Sequence, residues 1–118
     1  MGIEVAHTQM VSELAKPGDQ ILETLTPGKT HLLHMAAGAA GEAGELLGAI
    51  KGHTIYNKPL DRENVIEELG DLEFYMQGLR QALGISRQET LVHNIAKLGV
   101  RYPDGYSDQA AQTRADKA

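Results

Sequence analysis

The sequence predicts an all-α protein, most simply a small helical bundle of three long helices preceded by a short N-terminal helical segment. Three observations carry this expectation. Pro17-Gly18, Pro27-Gly28, Pro59 and Pro103 divide the chain into long uninterrupted stretches. Each long stretch opens on a helix-start signal. None alternates apolar and polar residues as a half-buried strand would.

The first long helix is predicted from about Pro27 to Gly52, with Thr26 as N-cap and proline at the first helical position. The second starts after Asp61, another capping residue, and runs to Leu83, where Gly84 stops it. The third opens with the capping box Ser86-x-x-Glu89 and continues to about Arg101, ahead of Pro103. Residues 53–60 form a loop. One domain is expected over residues 1–106. The polar, alanine-rich residues 107–118 read as a tail that is poorly ordered or docked on a partner.

With 118 residues the chain suits one compact domain. Its 42% apolar and 23% charged residues are ordinary for a globular protein and argue against global disorder. Sixteen acidic against eleven basic residues give a net charge of −5, which argues against sequence-independent binding to nucleic acid or to anionic membranes. There is no cysteine, so disulfides, thiolate metal sites and thiol nucleophiles are excluded. No run of 18 apolar residues is present, and the N-terminus lacks a signal-peptide pattern, so the expected location is the cytoplasm.

In the second helix Val65, Leu69, Leu72, Met76, Leu79 and Leu83 recur every three or four residues and fall within one stripe, a seam for another helix. Phe74 lies on the other face beside Gly70 and Gly78, which points to a further helix or subunit there. The first long helix is small or apolar nearly all round from Leu32 to Ile50, as expected of a helix buried on most sides. Its glycines at 38, 41, 44 and 48 each cost about 1 kcal/mol in helix propensity against alanine, which close approach of a helix or ligand would explain.

Glu42 and Glu45 are the only formal charges in that stretch and project from one side of the helix. They form either the helix's one wet edge or a site where a cation neutralises them, because unpaired buried carboxylates are costly. Glu68 and Asp71 repeat the three-residue spacing beside the leucine seam of the second helix. If the two helices run antiparallel, four carboxylates converge, an all-oxygen set that suits Mg²⁺ or Mn²⁺. A di-iron bundle needs Glu-x-x-His on two helices, and the chain has one such spacing, Glu4 to His7. On the third helix Asn94, Lys97 and Arg101 lie within about 60° of one another. They are either a solvated basic edge or a partner for phosphate.

Taken together, Glu42-x-x-Glu45 followed after 22 residues by Glu68-x-x-Asp71 resembles the defining motif of MazG-like nucleoside triphosphate pyrophosphohydrolases. Asn94-Ile95-Ala96-Lys97-Leu98 and Arg101-Tyr102-Pro103 resemble the third block of that family. The resemblance spans roughly residues 30–106. It implies an all-α domain that assembles as a homodimer or a dimer of dimers and cleaves nucleoside triphosphates between the α and β phosphates. It further implies that Glu42, Glu45, Glu68 and Asp71 are catalytic and hold Mg²⁺, with Mn²⁺ as a substitute. Lys97 and Arg101 would take phosphate oxygens, and Asn94 the sugar or a phosphate. Tyr75 would lie near the nucleotide, and His34 either lines the nucleoside pocket or is a core residue. Water activated between metal and phosphates would be the nucleophile, one carboxylate taking its proton. Phosphoribosyl-ATP hydrolysis on the same fold, and a nucleotide-binding regulator without turnover, are the alternatives.

Overall fold

The computed structural model describes residues 2–117, which divide into two compact units between His31 and Leu32. Six α-helices and one 3-10 turn make up its regular structure, and no strand occurs among the described residues. The all-α expectation is borne out. No helix is long and apolar enough to cross a membrane.

Where one N-terminal helical segment was expected, there are two, α1 (Ile3–Leu14) and α2 (Gly18–Thr24). The break falls at Pro17, whose ring fixes φ at −63° and removes a backbone donor. Every described residue of both helices is exposed.

The three long helices follow the local signals closely. In α3 (Pro27–Thr54) the Thr26 hydroxyl accepts the backbone N–H of Lys29 at 3.1 Å. The Asp61 carboxylate accepts the N–H of Asn64 at 3.1 Å and opens α4 (Arg62–Leu83). Gly84, at φ 67°, closes that helix in the left-handed region that glycine enters without a Cβ clash. The Ser86 hydroxyl then accepts the N–H of Glu89 at 3.0 Å and starts α5 (Arg87–Arg101). Caps of this kind contribute about 1 kcal/mol each.

Helices α3 and α4 pack antiparallel at two glycines. A Cβ on Gly38 would overlap the ring of Tyr75, and a Cβ on Gly78 would overlap the sulfur of Met35. Met35, 6% exposed, is the one buried apolar residue among those described. Val65, Leu72, Met76 and Leu79 of the predicted seam are half-buried, whereas Leu69 and Leu83 are exposed.

Two expectations need correction. Helix α3 is not buried on most sides within the chain. Leu47 is 67% exposed, and of its four central glycines only Gly38 meets another side chain. Its apolar character therefore exceeds what packing inside one chain uses. Nor is the C-terminal segment without structure. Ser107 caps α6 (Asp108–Thr113) by accepting the N–H of Ala110 at 3.0 Å. A 3-10 turn, Ala115–Lys117, follows, and both elements contact α5. Ala118 lies outside the described residues.

Candidate metal centre and its basic edge

The antiparallel pairing brings the acidic motifs of α3 and α4 together. Carboxylate oxygens of Glu42, Glu68 and Asp71 lie within 4.8 Å of one another. Glu42 and Glu68 are half-buried and Asp71 is exposed, so the cluster is open on one side. Glu45 stands outside this closest group, yet its negative charge acts on Glu68.

Glu68 is the electrostatic centre of the group. A hydrogen bond to the Glu42 carboxyl, loss of water, and the charges of Glu45, Glu42 and Asp71 push its pKa up to about 7. Its Oε2 atom is shielded from solvent, and no protein donor reaches it. No lysine or arginine pairs with any of the four acids among the described residues. Like charges gathered around an unsatisfied oxygen, with no protein cation nearby, fit a hard divalent ion with oxygen ligands. They do not fit a structural ion pair.

His34 and Tyr75 meet on the same helix pair, ring centroids 6.3 Å apart in an edge arrangement. Phe74 presents its own edge to Tyr75 at 5.2 Å while remaining 66% exposed. Tyr75 is thus held over Gly38, one turn beyond Asp71 in α4. Its placement one turn from the acids was legible in the spacing, but its seat on Gly38 was not.

The basic edge of α5 is not gathered with the acids. Asn94 and Lys97 are exposed and make no ion pair among the described residues. Arg101 is engaged elsewhere. Its Nε donates to Asp116 Oδ1 at 2.6 Å and its Nη2 to Oδ2 at 3.1 Å, a bidentate pair in which the Asp116 side chain is only 4% exposed. A guanidinium expected to hold phosphate therefore holds a carboxylate of the C-terminal turn. A cavity of about 300 Å³ beside it is lined by Val100, Pro103, Ala110 and Ala115, with none of the clustered acids in its wall.

Sequence reading missed Asp116, because an aspartate in a short polar tail carries no spacing signal. Arg101, with Lys97 assisting, holds the Asp116 carboxyl below the usual aspartate range. The stabilisation from this pair is therefore complete above the ordinary value of 3.8 and is lost as pH falls through the lowered folded-state value. Asp116→Asn is expected to speed amide hydrogen exchange across residues 107–117 at neutral pH. Unchanged exchange there would show that the ion pair does not hold the segment.

A family model, the MazG nucleotide pyrophosphohydrolase domain, matches residues 30–106, which contain all four acids and the whole of α5. The chain belongs to the MazG family. No curated protein and no solved structure shows significant similarity to it. The matched span starts at the fourth residue of α3 and stops at Tyr106. The Asp116 that engages Arg101 thus lies outside the MazG domain as matched, and the acid cluster wholly inside it.

Proposed function

We propose that this MazG domain hydrolyses nucleoside triphosphates between the α and β phosphates, giving a monophosphate and pyrophosphate. Mg²⁺ is the physiological ion and Mn²⁺ a substitute. The observation that carries the reading is the acid cluster with its donorless buried Glu68 oxygen. Glu42, Glu68 and Asp71, with Glu45 beside them, would hold the cation. A divalent ion bound there supplies charge neutralisation for the polyphosphate and makes water a stronger acid.

The chain's own residues do the rest. The carboxylates orient the nucleophilic water toward the α-phosphorus, and one of them accepts its proton. Lys97 and Arg101 take phosphate oxygens and Asn94 the sugar or a phosphate. Tyr75 and His34, edge to face on the same helix pair, form part of the nucleoside wall. For Arg101 to reach a phosphate it must release Asp116, so substrate and the C-terminal turn compete for one guanidinium. Without a cation the site repels a triphosphate, which carries about four negative charges to a cluster of four acids.

We also infer that the working molecule is a cytoplasmic homodimer or dimer of dimers. The exposed apolar faces of α3, α4 and α5, Leu47, Phe74 and Ile95 among them, support this.

Product analysis tests the reaction. Purified protein with Mg²⁺ is offered a panel of ribo- and deoxynucleoside triphosphates together with phosphoribosyl-ATP, beside Glu45→Ala and Asp71→Ala controls. Monophosphate and pyrophosphate are expected from the wild type and from neither control. Release of orthophosphate would place the cleavage at a different bond. Cation-dependent nucleotide binding without turnover would replace the enzyme by a regulator.

A further inference from the structure

We propose that Gly38 and Gly78 set which divalent cation the acid cluster accepts, by fixing how closely α3 and α4 approach. The proposal rests on the cluster being a cation site, as argued above. It concerns two residues that carry no charge and would touch no ligand.

Register supplies the first step. Met35 of α3 meets Gly78 of α4, and three residues on Gly38 meets Tyr75, three residues back. Continued by one turn in each helix, this antiparallel pairing sets Glu42 against Asp71, with Glu68 of α4 also reaching Glu42. The glycine contacts and the acids are successive rungs of one interface, so spacing imposed at the first is felt at the second.

The spacing is tight. From a Cβ on Gly38 the Tyr75 Cζ would stand at 2.6 Å, with two other ring carbons nearer still. From a Cβ on Gly78 the Met35 Cγ would stand at 3.2 Å and the sulfur nearer. Carbon atoms rest about 3.5–4.0 Å apart. A methyl group at position 38 therefore requires the helices or the ring to part by about 1 Å. The ring has His34 and Phe74 edge-on beside it, and Met35 is buried, so moving either disturbs its neighbours.

Ligand geometry turns that 1 Å into selectivity. Two oxygens on one Mg²⁺ stand at most about 4.2 Å apart, because its bonds are near 2.1 Å and its octahedron is stiff. Around Ca²⁺, with longer bonds and adaptable coordination, the limit is about 5 Å. The carboxylate oxygens of Glu42, Glu68 and Asp71 lie within 4.8 Å of one another, so little widening is tolerated. Parting the helices widens the cluster, and the stiff, short-bonded Mg²⁺ shell loses more by that widening than the longer, adaptable Ca²⁺ shell.

The test is calorimetric titration of metal-free protein with MgCl₂ and, separately, CaCl₂, which needs no turnover. Gly38→Ala is expected to weaken Mg²⁺ roughly tenfold or more and Ca²⁺ less, lowering the ratio of the two affinities. In a Tyr75→Ala background, where the clash is gone, the same substitution should leave that ratio unchanged. An unchanged ratio in folded Gly38→Ala, or an equal drop in the Tyr75→Ala background, would overturn the proposal while leaving the cation site standing. Should Gly38→Ala not fold, Gly78→Ala with and without Met35→Ala repeats the comparison. Unfolding of both glycine variants would also overturn the proposal and assign the glycines to stability alone. A wild type that binds neither ion would instead overturn the functional reading beneath it.

Discussion

Glu68→Gln is expected to abolish triphosphate cleavage, by on the order of a thousandfold or more, while leaving the metal-free protein as stable as the wild type or more so. The two effects have opposite signs because, in the proposed function, Glu68 serves the cation and not the fold. In the metal-free protein its carboxyl faces three other acids, and one oxygen is buried without a donor. Glutamine removes the charge, keeps the shape and brings a donor. Between the ordinary glutamate value of 4.5 and about 7, the folded state holds a proton that the unfolded state has released. Metal-free stability from this group therefore falls as pH rises through that window, and glutamine removes the decline. Melting curves from pH 5 to 8, with and without MgCl₂, check this. A Glu68→Gln protein that is less stable than the wild type at pH 8 without metal, or that retains Mg²⁺-dependent stabilisation, would contradict it.

Dilution is expected to lower the melting temperature, and Phe74→Asp to produce a monomer that melts about 10 °C lower or more. Met35 alone is buried among the apolar residues described, while Phe74 is 66% and Ile95 72% exposed. Covering one large apolar side chain contributes about 1.5–3 kcal/mol, and each kcal/mol moves the melting point of a domain this size by about 4–8 °C. Symmetry repeats every such contact at least twice. Stability that rests on association must depend on concentration. Sedimentation and melting over a hundredfold concentration range decide the matter. A monomer whose melting point does not move would refute the proposed assembly.

Helix ends are legible in the sequence because the groups that decide them lie within four residues of one another. Thr26, Asp61, Gly84 and Ser86 each act on a neighbouring backbone group. The acidic pairs are legible for a similar reason, since three-residue spacing fixes which side chains share a face. Which three of the four acids lie closest depends on the rotation of one helix against another. The two helices come closest at Gly38 and Gly78, and nothing marks these two among the thirteen glycines of the chain. Arg101 shows the limit most plainly. Its place on the basic edge of α5 is a local property, whereas its partner lies fifteen residues away in a segment with no periodicity. Burial of α3 is misjudged for the converse reason. Composition reports that a helix is apolar, and says nothing of whether its own chain has residues placed to cover it.

The acids of the site come from a single helical hairpin, with Glu42 and Glu68 joined by one loop and the rungs between them. The two close contacts between these helices also lie between Met35 and Gly78, with the loop that joins them. Such a unit is portable. N-terminal extensions and C-terminal turns can be exchanged around it over evolutionary time without moving the acids against one another. Change at the two ends of the chain and keeping of the acid cluster are thereby separated.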